Sequence, residues 1–167
     1  MKLDRKQLFI AGIIVVIAVA LGIQGYLQMA VRAPTEEPVD GLLHVYVDDV
    51  FIANVAPADA LALEAHEFTD AEEGVAQAGP RLDELVLLYV DSSRLRDESK
   101  ITVSGSRKGA DKTASVTWAE AIDISNNIIL DVSSSGDSLK LVSTLPRMDV
   151  RAEWVQGINR IDVTTKP

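Results

Sequence analysis

Two hydrophobic patterns share this chain. From Gln7 to Val31 no residue is charged, and Leu8 to Ile23 is almost wholly Ile, Val, Ala, Leu and Gly. At about 1.5 Å per residue such a run crosses a hydrocarbon core of roughly 30 Å, so it predicts one transmembrane helix. Beyond it the apolar residues recur in short segments. Leu43, Val45 and Val47 alternate with His44 and Tyr46, the period of a half-buried strand. Asp48-Asp49 then predicts a turn and Val50-Phe51-Ile52 a returning strand. Pro57 opens a predicted helix over Ala58 to Glu64, and the acidic stretch from Glu67 to Gly79 reads as a loop or an edge hairpin. Leu82, Leu85, Val86 and Tyr89 follow at helical spacing.

The second half reads as β structure. Ile101-Thr102-Val103 predicts a strand ending in the loop Ser104 to Gly109, and Ser115 to Thr117 a short strand. Trp118 to Ala121 predicts about one helical turn. Asn127 to Val132 and Leu139 to Val142 read as hairpin partners across the turn Ser133 to Asp137, and Ile158 to Val163 as the closing strand. Strands dominate and no βαβ rhythm is present. The expected class is therefore α+β: a β-rich mixed-sheet domain after one N-terminal transmembrane helix. Its expected core includes Leu82, Leu85, Ile101, Val103, Ile129, Leu141, Trp154, Ile158 and Ile161. The chain divides into an anchor (1–32), a linker (33–41) and a domain (42–167). Two prolines and two glutamates in Ala33 to Asp40 keep the linker extended and solvated.

Charge orients the anchor. Lys2, Arg5 and Lys6 precede the span and only Arg32 directly follows it, which places the N-terminus in the cytoplasm and the domain outside. A cleaved secretory signal is the competing reading, since the basic start fits one. The longer apolar run and the poor cleavage sites around Ala30 and Ala33 favour a retained single-pass anchor in the cell membrane. The lipid contact would then be residues 7–31.

Composition narrows the chemistry. With 25 Asp and Glu against 16 Lys and Arg, the net charge is −9, the wrong sign for a nucleic-acid partner. A basic protein or a cation suits such a surface, and solubility alone explains it as well. Cysteine is absent, which removes thiolate metal sites, iron–sulfur clusters and cysteine nucleophiles.

The order of segments in the second half carries a resemblance. A glycine-marked helix (GPRLDEL) precedes a strand of type ITVSGS. A strand and short helix (ASVTWAEA), an apolar strand (NIILDV), a hairpin strand (LKLVSTLP) and finally EWVQGINRIDV follow. This order resembles the oxidoreductase molybdopterin-binding domain, the sulfite-oxidase catalytic fold, in a small membrane-anchored form. The match covers Leu43 to Thr165 and is strongest over Gly79 to Val163. The resemblance implies a pterin-binding fold. It also implies a metal held by a cysteine thiolate, which this chain lacks, and Ser or Asp does not replace that soft ligand. Arg107, Lys108, Arg147 and Arg151, with Lys112, are the candidate remnant of a phosphate pocket. Solvated loop charge is the simpler role for such residues.

Other constellations are incomplete. His44 and His66 are the two histidines, and neither has a helix-spaced second ligand for zinc. Asp48-Asp49 and Glu72-Glu73 are adjacent on turns, so neither pair can face across a glycosidase cleft. No nucleophile elbow surrounds Ser104, Ser106 or the serines at 133–135. Trp118 and Trp154 read as packing residues. The expected function is that of an anchored extracytoplasmic binding or accessory-subunit domain. It would be catalytically inactive, metal-free, and docked with other subunits of a membrane complex. The alternative is a pterin-binding oxidoreductase subunit.

Overall fold

The computed structural model describes residues 37–133, 136 and 138–166. The run read as a transmembrane helix lies outside them. Among the described residues no helix is long and apolar enough to cross a membrane.

The period-two segments become the central sheet. β1 (Leu43–Val47) and β2 (Val50–Val55) form a hairpin whose turn residues Asp48 and Asp49 are left-handed, with φ of 49° and 65°. Asp tolerates that conformation through its short polar side chain, and a two-residue turn of this hand matches the twist of its strands. β5 (Lys100–Arg107), β6 (Ala110–Thr117) and β10 (Ile158–Thr164) complete a five-stranded sheet in the order β2-β1-β10-β5-β6. β1 runs parallel to β10 while the other neighbours are antiparallel, so the sheet is mixed. Register aligns one apolar row, Val47, Val163, Ile101 and Val116, and beside it a second, Val45, Ile161, Val103 and Ala114. The other face is polar. Arg160 lies 3.9 Å over the Tyr46 ring and clamps Asp162, and the hydroxyls of Thr102 and Ser115 meet at 3.0 Å.

The apolar rows are covered by short elements. These are α1 (Pro57–Ala60), α2 (Leu82–Leu87), α3 (Trp118–Ile122) and a three-stranded sheet of β7 (Ile129–Val132), β8 (Leu139–Val142) and β9 (Val155–Gln156). All nine residues expected in the core are at most 7% exposed. The acidic stretch resolves as a hairpin of β3 (His66–Thr69) and β4 (Ala76–Gly79) that forms a two-stranded sheet of its own. β4 approaches β7 so closely that a Cβ on Gly79 would lie 2.0 Å from the Leu130 carbonyl oxygen.

Three segments differ from the sequence reading, and the first is the short strand expected over Ser115 to Thr117, which is the end of β6. α1 stops after four residues because Leu61 and Leu63 both pack on the core. Residues two apart do not share a helix face. The expected loop Ser104 to Gly109 is mostly strand, and only Lys108 and Gly109 make the turn. Ser and Gly are poor strand formers, but Gly105 faces inward where no side chain fits. A Cβ there would lie 2.5 Å from the Gln156 carbonyl oxygen. The end of the linker is tied down: the Asn54 side chain accepts from the Val39 amide and donates to the Glu37 carbonyl, each at 3.0 Å.

Candidate functional site

The close pass of β9 over Gly105 opens a groove where the β5–β6 hairpin runs past it. The groove holds about 320 Å³ and is lined by Arg107, Asp111 and Lys112 of the hairpin and by Arg151, Trp154 and Gln156. Of the four cations singled out in the sequence, Arg107 and Arg151 share this groove. Lys108 sits at the exposed hairpin tip in a left-handed conformation, φ 53°. Neither Arg107 nor Lys108 has an ion-pair partner among the described residues.

Arg151 is held from several sides. Its Nη1 lies 2.6 Å from Glu73 and its Nη2 3.4 Å from Asp70, while its backbone amide donates to Glu72 at 2.9 Å. The guanidinium lies 5.7 Å from the centre of the Trp154 ring, and the Lys140 ammonium lies 5.6 Å from the same centre. Cations within about 6 Å of an indole face are attracted by its quadrupole. Lys140 pairs with Asp131 at 3.0 Å and donates to Gln77 at 2.7 Å, and Gln77 in turn donates to Asp70 at 3.0 Å. The Trp154 indole N–H donates to the Met148 carbonyl at 2.9 Å. The Glu73 backbone amide, followed by Gln77 and Arg151, holds the Asp70 carboxyl below its ordinary range against the cost of burial. One donor is left over: the buried Nε of Arg151 has no acceptor among the described residues.

Lys112 donates to the Ala152 carbonyl and stands 3.7 Å from Glu153. Arg147 does not line the groove. It forks onto Glu120 with two contacts of 2.7 Å and donates to the Ser115 carbonyl. Glu120 is also the reciprocal partner of Thr117 in the capping box that starts α3. The fork lowers the Glu120 carboxyl and raises the Arg147 guanidinium. Arg147 therefore clamps the start of α3 to the end of β6.

The histidines are placed apart. His44 meets the Val39 carbonyl at 2.9 Å, and His66 meets Glu84 at 3.0 Å across β3 and α2. Among the described residues no three His, Asp or Glu side chains group as metal ligands. The chain has no cysteine, so the donor set does not fit a molybdenum held by a protein thiolate, and no step is derived through one.

Sequence reasoning did not find the chain Asp131, Lys140, Gln77, Asp70 and Arg151. A signal for part of it exists: Lys140 alternates with Leu139 and Leu141 on a strand, which puts it on the face opposite that pair. What that face meets is set by residues far off in sequence. Neither a protein-family model nor a curated protein matches this chain.

Proposed function

We propose that this chain is a single-pass, membrane-anchored extracytoplasmic domain that acts by binding, as an accessory subunit of a membrane complex, with a fold like that of molybdopterin-binding domains. The uncharged run 7–31 and the basic residues before it support the anchor and its orientation. The groove beside Trp154 is the contact site. Its walls are rigid because Arg151, Lys140 and Trp154 are fixed by one polar network. It presents the unpaired Arg107 guanidinium and the amide of Gln156 to an incoming polar segment. The observation that carries the reading is the exposed Arg107 guanidinium, which lines an open groove with no ion-pair partner among the described residues. A carboxylate or carbonyl of a partner subunit would supply the acceptor.

The test is a photo-crosslinking residue placed at position 107 of the full chain in native membranes washed with alkaline carbonate. The expected result is a retained chain that forms one discrete adduct with another membrane polypeptide. The same probe at Thr164 on the exposed end of β10 should give none. A chain released by the wash, or position-independent adducts, would overturn the proposal. Stoichiometric molybdenum on the purified chain would instead favour the oxidoreductase alternative.

A further inference from the structure

A second concavity lies where the β1–β2 turn, the segment around Arg94 and the residues after β10 meet. It encloses about 460 Å³ and is lined by Asp48, Ser93, Arg94, Arg96, Thr165 and Lys166. Three of those side chains are cationic and one is acidic, in a chain whose net charge is −9.

The single carboxylate of the lining is already committed. Asp48 accepts from the Thr165 amide at 2.8 Å, from the Thr165 hydroxyl at 2.7 Å and from Arg94 at 3.0 Å. The left-handed turn aims it at Thr165, so the contact latches the end of the chain to the β1–β2 hairpin. Asp91, the nearest acid on the Ser93 segment, turns its carboxylate onto the Ser93 amide at 2.8 Å. Neither Arg96 nor Lys166 has an ion-pair partner among the described residues, although Asp97 and Glu98 adjoin Arg96 in sequence. The Ser93 hydroxyl adds a neutral donor at the rim. Asp48 answers only Arg94 within this lining, so Arg96 and Lys166, which come from separate segments, are left without a counter-charge and repel one another. An oxyanion between them removes that repulsion and accepts charge-assisted hydrogen bonds.

We propose that this pocket binds a phosphate group, with Arg96 and Lys166 as its charge partners, Ser93 as a neutral donor, and Arg94 as a wall fixed by Asp48. A free phosphate and a phosphomonoester lipid headgroup present the same oxygens, and the experiment separates them. The full chain in detergent is titrated calorimetrically with inorganic phosphate up to about 10 mM, a range that reaches millimolar affinities. In a parallel arm it is placed in nanodiscs of phosphatidylcholine with or without phosphatidic acid, and phosphorus NMR reads the headgroup signal. Saturable binding in the first arm assigns a soluble phosphate, and a phosphatidic-acid-specific perturbation assigns the headgroup.

Arg96→Gln and Lys166→Gln should each weaken the effect about tenfold, as loss of one charge-assisted contact does. Lys166→Arg should retain it, and Arg107→Gln in the distant groove should leave it unchanged. These side chains are exposed, so the variants fold, and circular dichroism checks that they do. No saturable binding in either arm by the folded chain, or equal losses in Arg96→Gln and Arg107→Gln, would overturn the proposal.

Discussion

The groove beside Trp154 and the pocket beside Thr165 are both ringed with cations, and they differ in where the compensating acids lie. In the groove Arg151 is claimed by Glu73 and Asp70, and Lys112 by the Ala152 carbonyl and Glu153. Behind it Lys140 is claimed by Asp131. Arg107 apart, the charges there have become architecture: they hold the β3–β4 hairpin, a strand and an aromatic ring in one arrangement. In the pocket one carboxylate serves Arg94 and the end of the chain, while Arg96 and Lys166 are left over. Clustered basic residues thus give mostly a paired wall in one region and, at Arg96 and Lys166, an unpaired field in the other. Whether a cation is available for a ligand depends on which acids the fold brings to it.

The largest expected effect falls on the groove. Trp154 is 3% exposed and its indole N–H is satisfied by the Met148 carbonyl. Trp154→Ala should cost roughly 3–5 kcal/mol in denaturant unfolding, the usual penalty for emptying a large aromatic site. Arg151 and Lys140 would lose the ring they lie against, so position-107 crosslinking should fall as well. Phosphate binding at the pocket should persist under conditions where the variant is folded. A loss there as large as in the groove would show that the two regions are one coupled unit and would break the comparison.

Acid acts on both regions in the same direction. Asp70 and Asp48 are both held below the ordinary carboxylate range, Asp70 chiefly by the Glu73 amide and Asp48 chiefly by the Thr165 hydroxyl. A carboxyl whose folded value is depressed contributes stability that is present above its unfolded value, about 3.9, and lost as pH falls through the folded value. Stability should therefore be flat from neutrality down to about pH 4 as far as these groups set it, then decline. Asp70→Asn should lower stability at pH 7 and flatten the acid decline below it, measured as urea midpoints across pH. An unchanged decline would assign the acid sensitivity elsewhere.

Much of the fold was legible because it rests on local periodicity. Alternation at Leu43, Val45 and Val47 places β1, and Ile158 to Val163 reads directly as the closing strand. The full length of the β5–β6 hairpin was not legible. Its Ser104-Gly105-Ser106 stretch has loop composition, and it is strand because the backbone of Gln156 and Gly157 presses on Gly105. The sites were harder still. Arg107 and Arg151 could be named from the sequence as cations, but the acids that engage Arg151 lie about eighty residues away on the β3–β4 hairpin. Arg96 and Lys166 carried no signal at all, since they line one pocket only through the pairing of β10 with β5 and the contacts of Thr165 with Ser99 and Asp48.

The smallest expected effect tests that latch and the charge it consumes. Asn tolerates the left-handed region as well as Asp does, so Asp48→Asn keeps the turn at φ 49° without new strain. Its side-chain oxygen can still accept from the Thr165 amide, while the attraction to Arg94 and the charge-assisted part of the Thr165 contacts are lost. At neutral pH the variant should be less stable than the native chain, and the difference should shrink as acid protonates Asp48. The pocket gains a net positive charge. One unit charge at contact distance in water is worth about 1 kcal/mol, so phosphate affinity should rise about threefold to fivefold at low ionic strength. Salt should erase part of the gain, because the pocket is open to solvent and its charges are screened. The measurement is the calorimetric titration repeated at two salt concentrations. Weaker binding by Asp48→Asn would mean that the carboxylate is needed to hold Arg94 and Lys166 in place, and that geometry outweighs charge in this pocket.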